Sequence, residues 1–261
     1  MAEAWPVIVA RYHLGKSSKL AEIVRFFRKN SETFSQALDI GTGTGALALG
    51  YKKYATSWDY LEIDHQAANQ ATKLLGQQVY TNWSEVEHNH YDLITVVDTF
   101  FYFTEPKEVV KKLEAMLNPG GKLLVTLTNG ANDLLVNRLR DYLNLGSKMR
   151  GFAFEENKEH FLQHFSSSIW QSVYFRDFSY LFEEVILLIL DWLDKKSNRS
   201  KENKAGVDRL TNIVETKNWH LWFLRLAWWP LKLASLLDYP FRGFFRGYRF
   251  VVVLIKKETI A

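Results

Sequence analysis

The chain has 261 residues, enough for one sizeable core or a core with a small appendage, but not for two full domains. Hydrophobic residues make up 47% and charged residues 24%, the balance of a globular protein; with no cysteine, disulfides, zinc–cysteine centres and thiolate catalysis are excluded, and an intracellular protein is expected. The net charge of +4 is unevenly spread: from Lys195 onward 14 Lys and Arg face 5 Asp and Glu, a local +9, while the first 194 residues hold 19 and 24, a local −5.

Residues 1–15 show no clear periodicity. They hold no basic flank followed by an apolar core, and Val7 to Ala10 is too short for a signal peptide, so cytoplasmic residence is expected. From Lys16 to Lys29 the apolar positions Leu20, Ile23, Val24, Phe26 and Phe27 follow helical spacing. Residues 37–45, Ala37-Leu38-Asp39-Ile40-Gly41-Thr42-Gly43-Thr44-Gly45, then form an apolar strand running into a turn with a glycine at every second position. A helix starts at Ala46 and runs to about Lys53. Such glycines let the main chain adopt φ > 0 and let a ligand lie against bare backbone. A phosphate-cradling loop would need Lys and then Ser or Thr where Ala46-Leu47 stand. A dinucleotide fingerprint would read G-x-G-x-x-G, whereas this loop reads G-x-G-x-G with Asp39 two residues ahead.

Trp58 to Ile63 is the next short apolar run, and Glu62 closes it. A carboxylate at that strand end can accept both hydroxyls of a ribose, which supports a nucleoside ligand without choosing among cofactors. A helix from His65 to Leu75 ends at Gly76. A brief strand, 78–80, leads to Thr81-Asn82-Trp83-Ser84, and residues 91–98 form a strand apolar on both faces, as a central strand covered by helices should be. The helix 106–117, the turn Asn118-Pro119-Gly120-Gly121 and the strand 121–128 follow.

The D-x-G-x-G-x-G pattern, a carboxylate 21 positions beyond Gly41, and the strand, helix, N-P-G-G turn and strand of residues 91–128 resemble the class I S-adenosylmethionine (SAM) dependent methyltransferases, over roughly residues 16–130. The resemblance implies an α/β fold, a Rossmann-like doubly wound seven-stranded sheet with an antiparallel last strand, and SAM as cofactor. It implies that Asp39, Gly41, Thr42, Gly43 and Gly45 shape the methionine pocket, with Glu62 on the ribose and Ile63 beside it. Asn82 takes the place of the aspartate that meets the adenine amino group, and its carbonyl can accept the same hydrogen bond. Trp83 either covers the adenine face or belongs to the core. Asp98 and Thr99 are implied near the transferable methyl. Tyr12 and His13 either touch the methionine end or form a surface arm.

Asn132-Asp133 suit a cap for a helix 134–145. Set against the family, residues 165–170 and 172–178 fit the last helix and the sixth strand, and 249–257 fits the seventh. About 70 residues lie between them where a short turn would suffice. The expected organisation is a SAM-binding domain, 1–178 with 249–261, and a helical, aromatic-rich insertion, 179–248. The insertion begins with an apolar helix, 180–193, and passes through the solvated basic run 195–204 and a short helix, 207–217. Residues 219–237 hold four of the nine tryptophans, and an aromatic and basic run, 239–247, follows. Arg225, Pro230 and Lys232 break the apolar stretch, which argues against a transmembrane span. Trp and Tyr mixed with Arg and Lys suit a helix lying at a membrane interface; a lid over the active site is the other reading, and the two are compatible. Nucleic acid is not an expected partner, because the basic residues are interleaved with bulky aliphatics rather than grouped in a polar stripe.

SAM carries an electrophilic methyl on a sulfonium, so positioning supplies much of the rate and a base is needed only if the acceptor must lose a proton. His160 and His164, four apart, are candidate bases that share one helix face if HFLQHF is helical; an ordinary core or surface role is the other reading. No third zinc ligand is apparent, so no metal is expected. Tyr102 and Asp133 are further candidates. The loop from Asp98 to Pro106 lacks the N-P-P-Y sequence of amino-group methyltransferases, and Phe100, Phe101, Tyr102 and Phe103 predict an apolar or aromatic acceptor, unless Phe101 and Phe103 pack on the sheet. The expected protein is a cytoplasmic methyltransferase, with contact at the inner face of the membrane. It would act on an oxygen or carbon of a small apolar or lipid-like acceptor. The alternatives are a SAM-binding regulatory or scaffolding protein without turnover, and an NAD-dependent oxidoreductase.

Overall fold

The computed structural model describes residues 18–30, 33–128, 135–143, 161–178 and 249–258, and the single positions Val185, Leu188, Leu233 and Leu237. Six strands form one mixed sheet: β1 (Phe34–Ile40), β2 (Ala55–Leu61), β3 (Tyr91–Val97), β4 (Leu117–Thr128), β5 (Trp170–Phe178) and β6 (Arg249–Lys256), in the order β2-β1-β3-β4-β6-β5. Strands β1 to β4 pair in parallel, and β6 runs antiparallel to both β4 and β5, as expected of the last strand. The helices given in full among the described residues are α1 (Ser18–Asn30), α2 (Ala48–Tyr51), α3 (His65–Leu75), α4 (Pro106–Met116) and α5 (Leu135–Tyr142).

The expected seventh strand is absent from the described sheet; residues 78–80 contribute only a single parallel bridge, Leu61 with Tyr80. The Tyr80 amide donates to Tyr60 O at 2.8 Å and Tyr80 O accepts the Glu62 amide at 2.9 Å. Its neighbours have other partners: the Val79 amide donates to Thr72 Oγ1 at 3.2 Å, and the Gln77 side chain donates to Trp58 O. Asn82 then caps a 3-10 turn, Trp83–Glu85, so the chain leaves the sheet edge before a ladder can form. The helix expected to reach Lys53 is a single α-turn followed by a 3-10 turn, Lys52–Tyr54. No helix forms over 165–170: among the described residues Phe161 and Leu162 are helical, and a run of turns then delivers the chain to β5. Of the expected insertion, only the four single positions fall among the described residues.

Alternation along the strands divides the core in two. One face carries Leu38, Ile40, Ile94, Val96, Leu123, Val125, Phe250 and Val252, covered by Val110 and Leu113 of α4 and by Phe100, Phe161 and Phe165. The other carries Ala37, Leu93, Leu124, Val251 and Val253, covered by α1, by Tyr51 of α2 and by Ala68 and Ala71 of α3. Helix α1 crosses this second face from one end of the sheet toward the other. At β5 its fully buried Glu22 carboxylate accepts from Arg25 Nη1 at 2.9 Å and Arg176 Nε at 3.2 Å, and a carboxylate so desolvated is tolerable only with cations beside it. At the far end Phe27 stacks on Tyr54, with ring centroids 4.6 Å apart. On the first face Pro106 opens α4, where its missing N–H costs nothing, and Lys256 Nζ donates to Glu114 O and Leu117 O at the other end, both at 2.7 Å, closing the helix with a cation.

Candidate cofactor and acceptor site

The site lies beyond the carboxyl ends of β1, β2 and β3. The chain leaves β1 with Gly41, Gly43 and Gly45 all at positive φ, and the amides of Gly41 and Thr42 donate to Leu61 O, at 2.8 and 3.3 Å, which ties the loop to β2. At Gly41 the need for glycine is doubled, because φ is +73° and a Cβ would lie 2.7 Å from Thr99 Cβ, in the loop after β3. At Gly43 φ is +57° and a Cβ would meet nothing within 4 Å, so the middle of the turn presents bare backbone to open space.

Asp39 lies beneath this turn, 2% exposed, and the loop is built on it. Its carboxylate accepts from Thr95 Oγ1 of β3 at 2.6 Å and from Thr42 Oγ1 of the loop, and Tyr51 of α2 donates a third hydrogen bond. Burial raises its pKa above the usual 3.8, opposed by the hydroxyls of Thr42, Thr95 and Tyr51. Burial, aided by the Asp39 charge, also raises Tyr51 well above the ordinary tyrosine value. The native state therefore binds the Asp39 proton more tightly than the unfolded chain does, and this group's contribution to stability falls as pH rises from about 3.8 through the raised native value. Urea unfolding at stepped pH should show wild type losing stability relative to Asp39→Asn across that window. Parallel curves would mean that the carboxyl titrates normally.

Glu62, half-buried at the end of β2, bridges the loop and the following helix. Its Oε2 accepts the Gly43 amide at 2.8 Å and its Oε1 the Asp64 amide at 2.9 Å; Asp64 in turn caps α3 by accepting the Ala67 amide at 2.8 Å. Ile63, beside it, is 69% exposed. Asn82 is exposed, and its Oδ1 accepts the Ser84 amide at 3.2 Å in a capping box completed by Glu85. Trp83 packs against the core, meets Phe103 edge-on with ring centroids 6.1 Å apart, and has Lys112 Nζ 5.6 Å from its ring centre. At the end of β3, Asp98 adopts φ +51°, and its carboxylate accepts from Thr126 Oγ1 at 2.9 Å and Arg249 Nη1 at 2.6 Å.

Comparison with known proteins adds the family. A family model described as methyltransferase domain matches residues 12–177, well over half the chain. The chain belongs to this family. It is a class I SAM-dependent methyltransferase, an enzyme with SAM as cofactor. No curated protein matches the methyltransferase in sequence. Among solved structures it is similar to the N-methyltransferase NodS from Bradyrhizobium japonicum in complex with S-adenosylhomocysteine (SAH), with 11% identity, 92% of this chain and 86% of that chain covered, and a TM-score of 0.51. It is also similar to the YcgJ protein from Bacillus subtilis, with 14% identity, 92% and 99% coverage and a TM-score of 0.52. A third is the plantazolicin methyltransferase BpumL in complex with SAH, with 13% identity, 96% and 85% coverage and a TM-score of 0.53. At such identities the likeness is one of fold.

The residues of the methyltransferase fit the cofactor: an open glycine turn at Gly43, with a carboxylate already hydrogen-bonded to that turn, is a cradle for a nucleoside carrying a flexible polar tail. On the acceptor side, a 3-10 turn, Phe100–Tyr102, follows Thr99. Phe100 is fully buried, with Phe161 at 5.2 Å and Phe103 at 5.5 Å between ring centroids, while Tyr102 is 46% exposed. Phe103 therefore packs, and the side chain of Phe101 lies outside the described set, as do His160, Asp133, Tyr12 and His13. His164 sits half-buried in the turn after Phe161 and Leu162, its amide donating to Phe161 O at 3.3 Å. No group of three or more His, Cys, Asp or Glu suited to a metal occurs among the described residues. Sequence reasoning missed Thr95, Thr126 and Arg249. The threonines read as ordinary strand residues, and only the alternation that puts Thr95 on the same face as Asp39 hinted at a role.

Proposed function

We propose that this methyltransferase transfers the methyl group of SAM to an oxygen or carbon of a small apolar or lipid-like acceptor. The observation that carries the reading is the aromatic edge beyond β3, where Phe100, Phe103 and Trp83 form a packed wall and Tyr102 stands exposed on the same turn. Nothing in Thr99-Phe100-Phe101-Tyr102-Phe103 offers the amide and carboxylate groups that would orient an amine. In this reading Glu62 holds the ribose, Ile63, Asn82 and Trp83 border the adenine, and the turn on Asp39 receives the methionine end. Trp83 presents one ring face at most, because Lys112 attends the other. SAM supplies the electrophilic methyl; the chain holds it, excludes water and places the acceptor oxygen or carbon. Tyr102 and His164 are the described groups nearest in character to a base for a hydroxyl acceptor, with His160 completing the histidine pair.

The tryptophan-rich, basic stretch between Lys195 and Gly247 supports a lipid-like acceptor met at an anionic bilayer surface. No helix among the described residues is long and apolar enough to cross a membrane. The test is incubation with methyl-labelled SAM and two acceptor sets, anionic-lipid vesicles and small aromatic alcohols. Label in the organic extract is expected. Label confined to polar amines would overturn the acceptor class, and tight SAH binding with no transfer to any acceptor would favour a binding protein without turnover.

A further inference from the structure

We infer that Arg249 is a positioning residue for the cofactor loop, acting through Asp98 and Thr99; this rests on the reading of the glycine turn as the SAM pocket. Asp98 is the only non-glycine residue with positive φ among the described residues, and left-handed backbone at an aspartate persists where its surroundings hold it. The holding groups come from two other strands. On β4, Thr126 O and Oγ1 both receive the Asp98 amide at 3.1 Å, and Thr126 Oγ1 donates back to Asp98 Oδ1 at 2.9 Å. On β6, Arg249 Nη1 donates to Asp98 Oδ2 at 2.6 Å; both side chains are 15% exposed, so the pair is largely shielded from water and little screened.

The reversal at Asp98 decides where Thr99 goes. Its hydroxyl donates to Val97 O at 3.1 Å and reaches Gly41 O at 3.4 Å, and its side chain fills the space a Cβ on Gly41 would need. A chain of contacts thus runs from the first residue of β6, through the kink after β3, to the first glycine of the cofactor turn. Arg249 stands 151 residues from Asp98 in sequence, and this route from it to the glycine turn passes through Asp98 and Thr99.

The proposal is tested by calorimetric titration with SAH of wild type, Arg249→Lys, Arg249→Gln, Asp98→Gly and the Arg249→Gln/Asp98→Gly pair, with thermal unfolding of each unliganded protein. Arg249→Gln should weaken SAH binding by about tenfold or more, and Arg249→Lys, which keeps the charge, should recover most of the loss. Glycine adopts positive φ unaided, so adding Arg249→Gln to Asp98→Gly should cost no more than about twofold in affinity. An equal loss in both backgrounds, or an Arg249→Gln affinity equal to wild type, would overturn the inference while leaving the cofactor pocket standing. Should Arg249→Gln fail to fold, the Lys variant and the double variant carry the comparison: loss in Arg249→Lys with a further loss in the double variant beyond Asp98→Gly sinks it. Absence of SAH binding by wild type would overturn the pocket reading and this inference together.

Discussion

Replacing Glu62 by alanine should raise the dissociation constant for SAH by about two orders of magnitude or more while leaving the fold intact. The carboxylate is held in place before any ligand arrives, one oxygen on the Gly43 amide and the other on the Asp64 amide. Ordering it costs the complex nothing further, and that is the situation in which charge-assisted hydrogen bonds contribute most. Two such bonds to ribose hydroxyls, at about 1.5–3 kcal/mol each, amount to a loss of about a hundredfold at the low end. Alanine also strips the Gly43 amide of its acceptor, loosening the turn itself. Glu62→Gln, with one acceptor oxygen in place of two, should fall between wild type and alanine. Titration calorimetry reads all three; an alanine variant within threefold of wild type would mean that the nucleoside is held elsewhere.

The second large effect belongs to Gly41, and its contrast with Gly43 makes it informative. Both have positive φ, so alanine at either costs about 1–2 kcal/mol through the left-handed backbone. At Gly41 the new methyl also collides with Thr99, whose β-carbon would be 2.7 Å away, so the β3 loop or the turn must move. Gly41→Ala should therefore lose about 3 kcal/mol or more of stability and its SAH binding with it. Gly43→Ala meets nothing within 4 Å, so it should fold with only the backbone cost, yet its methyl projects into the open turn and should abolish binding. Urea unfolding paired with SAH titration separates the two. Similar stability losses in both variants would place the collision elsewhere than Thr99.

What can be read ahead of the structure is local. The glycine turn, the carboxylate closing β2 and the helix ending at Gly76 are each announced within a dozen residues by periodicity or punctuation, whereas the antiparallel last strand is implied by the family resemblance alone. What cannot be read joins distant segments. The Arg249–Asp98 pair and the Lys256 cap on α4 depend on which strands become neighbours, and no local pattern reports that. Residues 78–80 suit a strand by type, whereas hydrogen bonds at Gln77 and Val79 draw the backbone away from the ladder. Trp83 is ambiguous for a related reason, since an indole suits an adenine and a core equally well; the structure gives it a core contact and a cation together. The acceptor wall is legible as composition only, and Phe100 in the core with Tyr102 outside cannot be told apart by residue type.

The strand order has a kinetic consequence. Among the described strands β5 pairs with β6 alone, and β6 supplies β4's antiparallel neighbour, yet β6 is the last of them in chain order. During synthesis β5 therefore lacks this partner and β4 this neighbour until residues 249–256 emerge, a long-range closure of the kind that slows folding and leaves strand edges exposed to other chains. Glu22 waits as well, because Arg176, a cation beside its carboxylate, sits on β5. The docking of α1 and the completion of the kink above the glycine turn are thus tied to the same late event, so nascent chains should gain cofactor affinity in a single step rather than gradually.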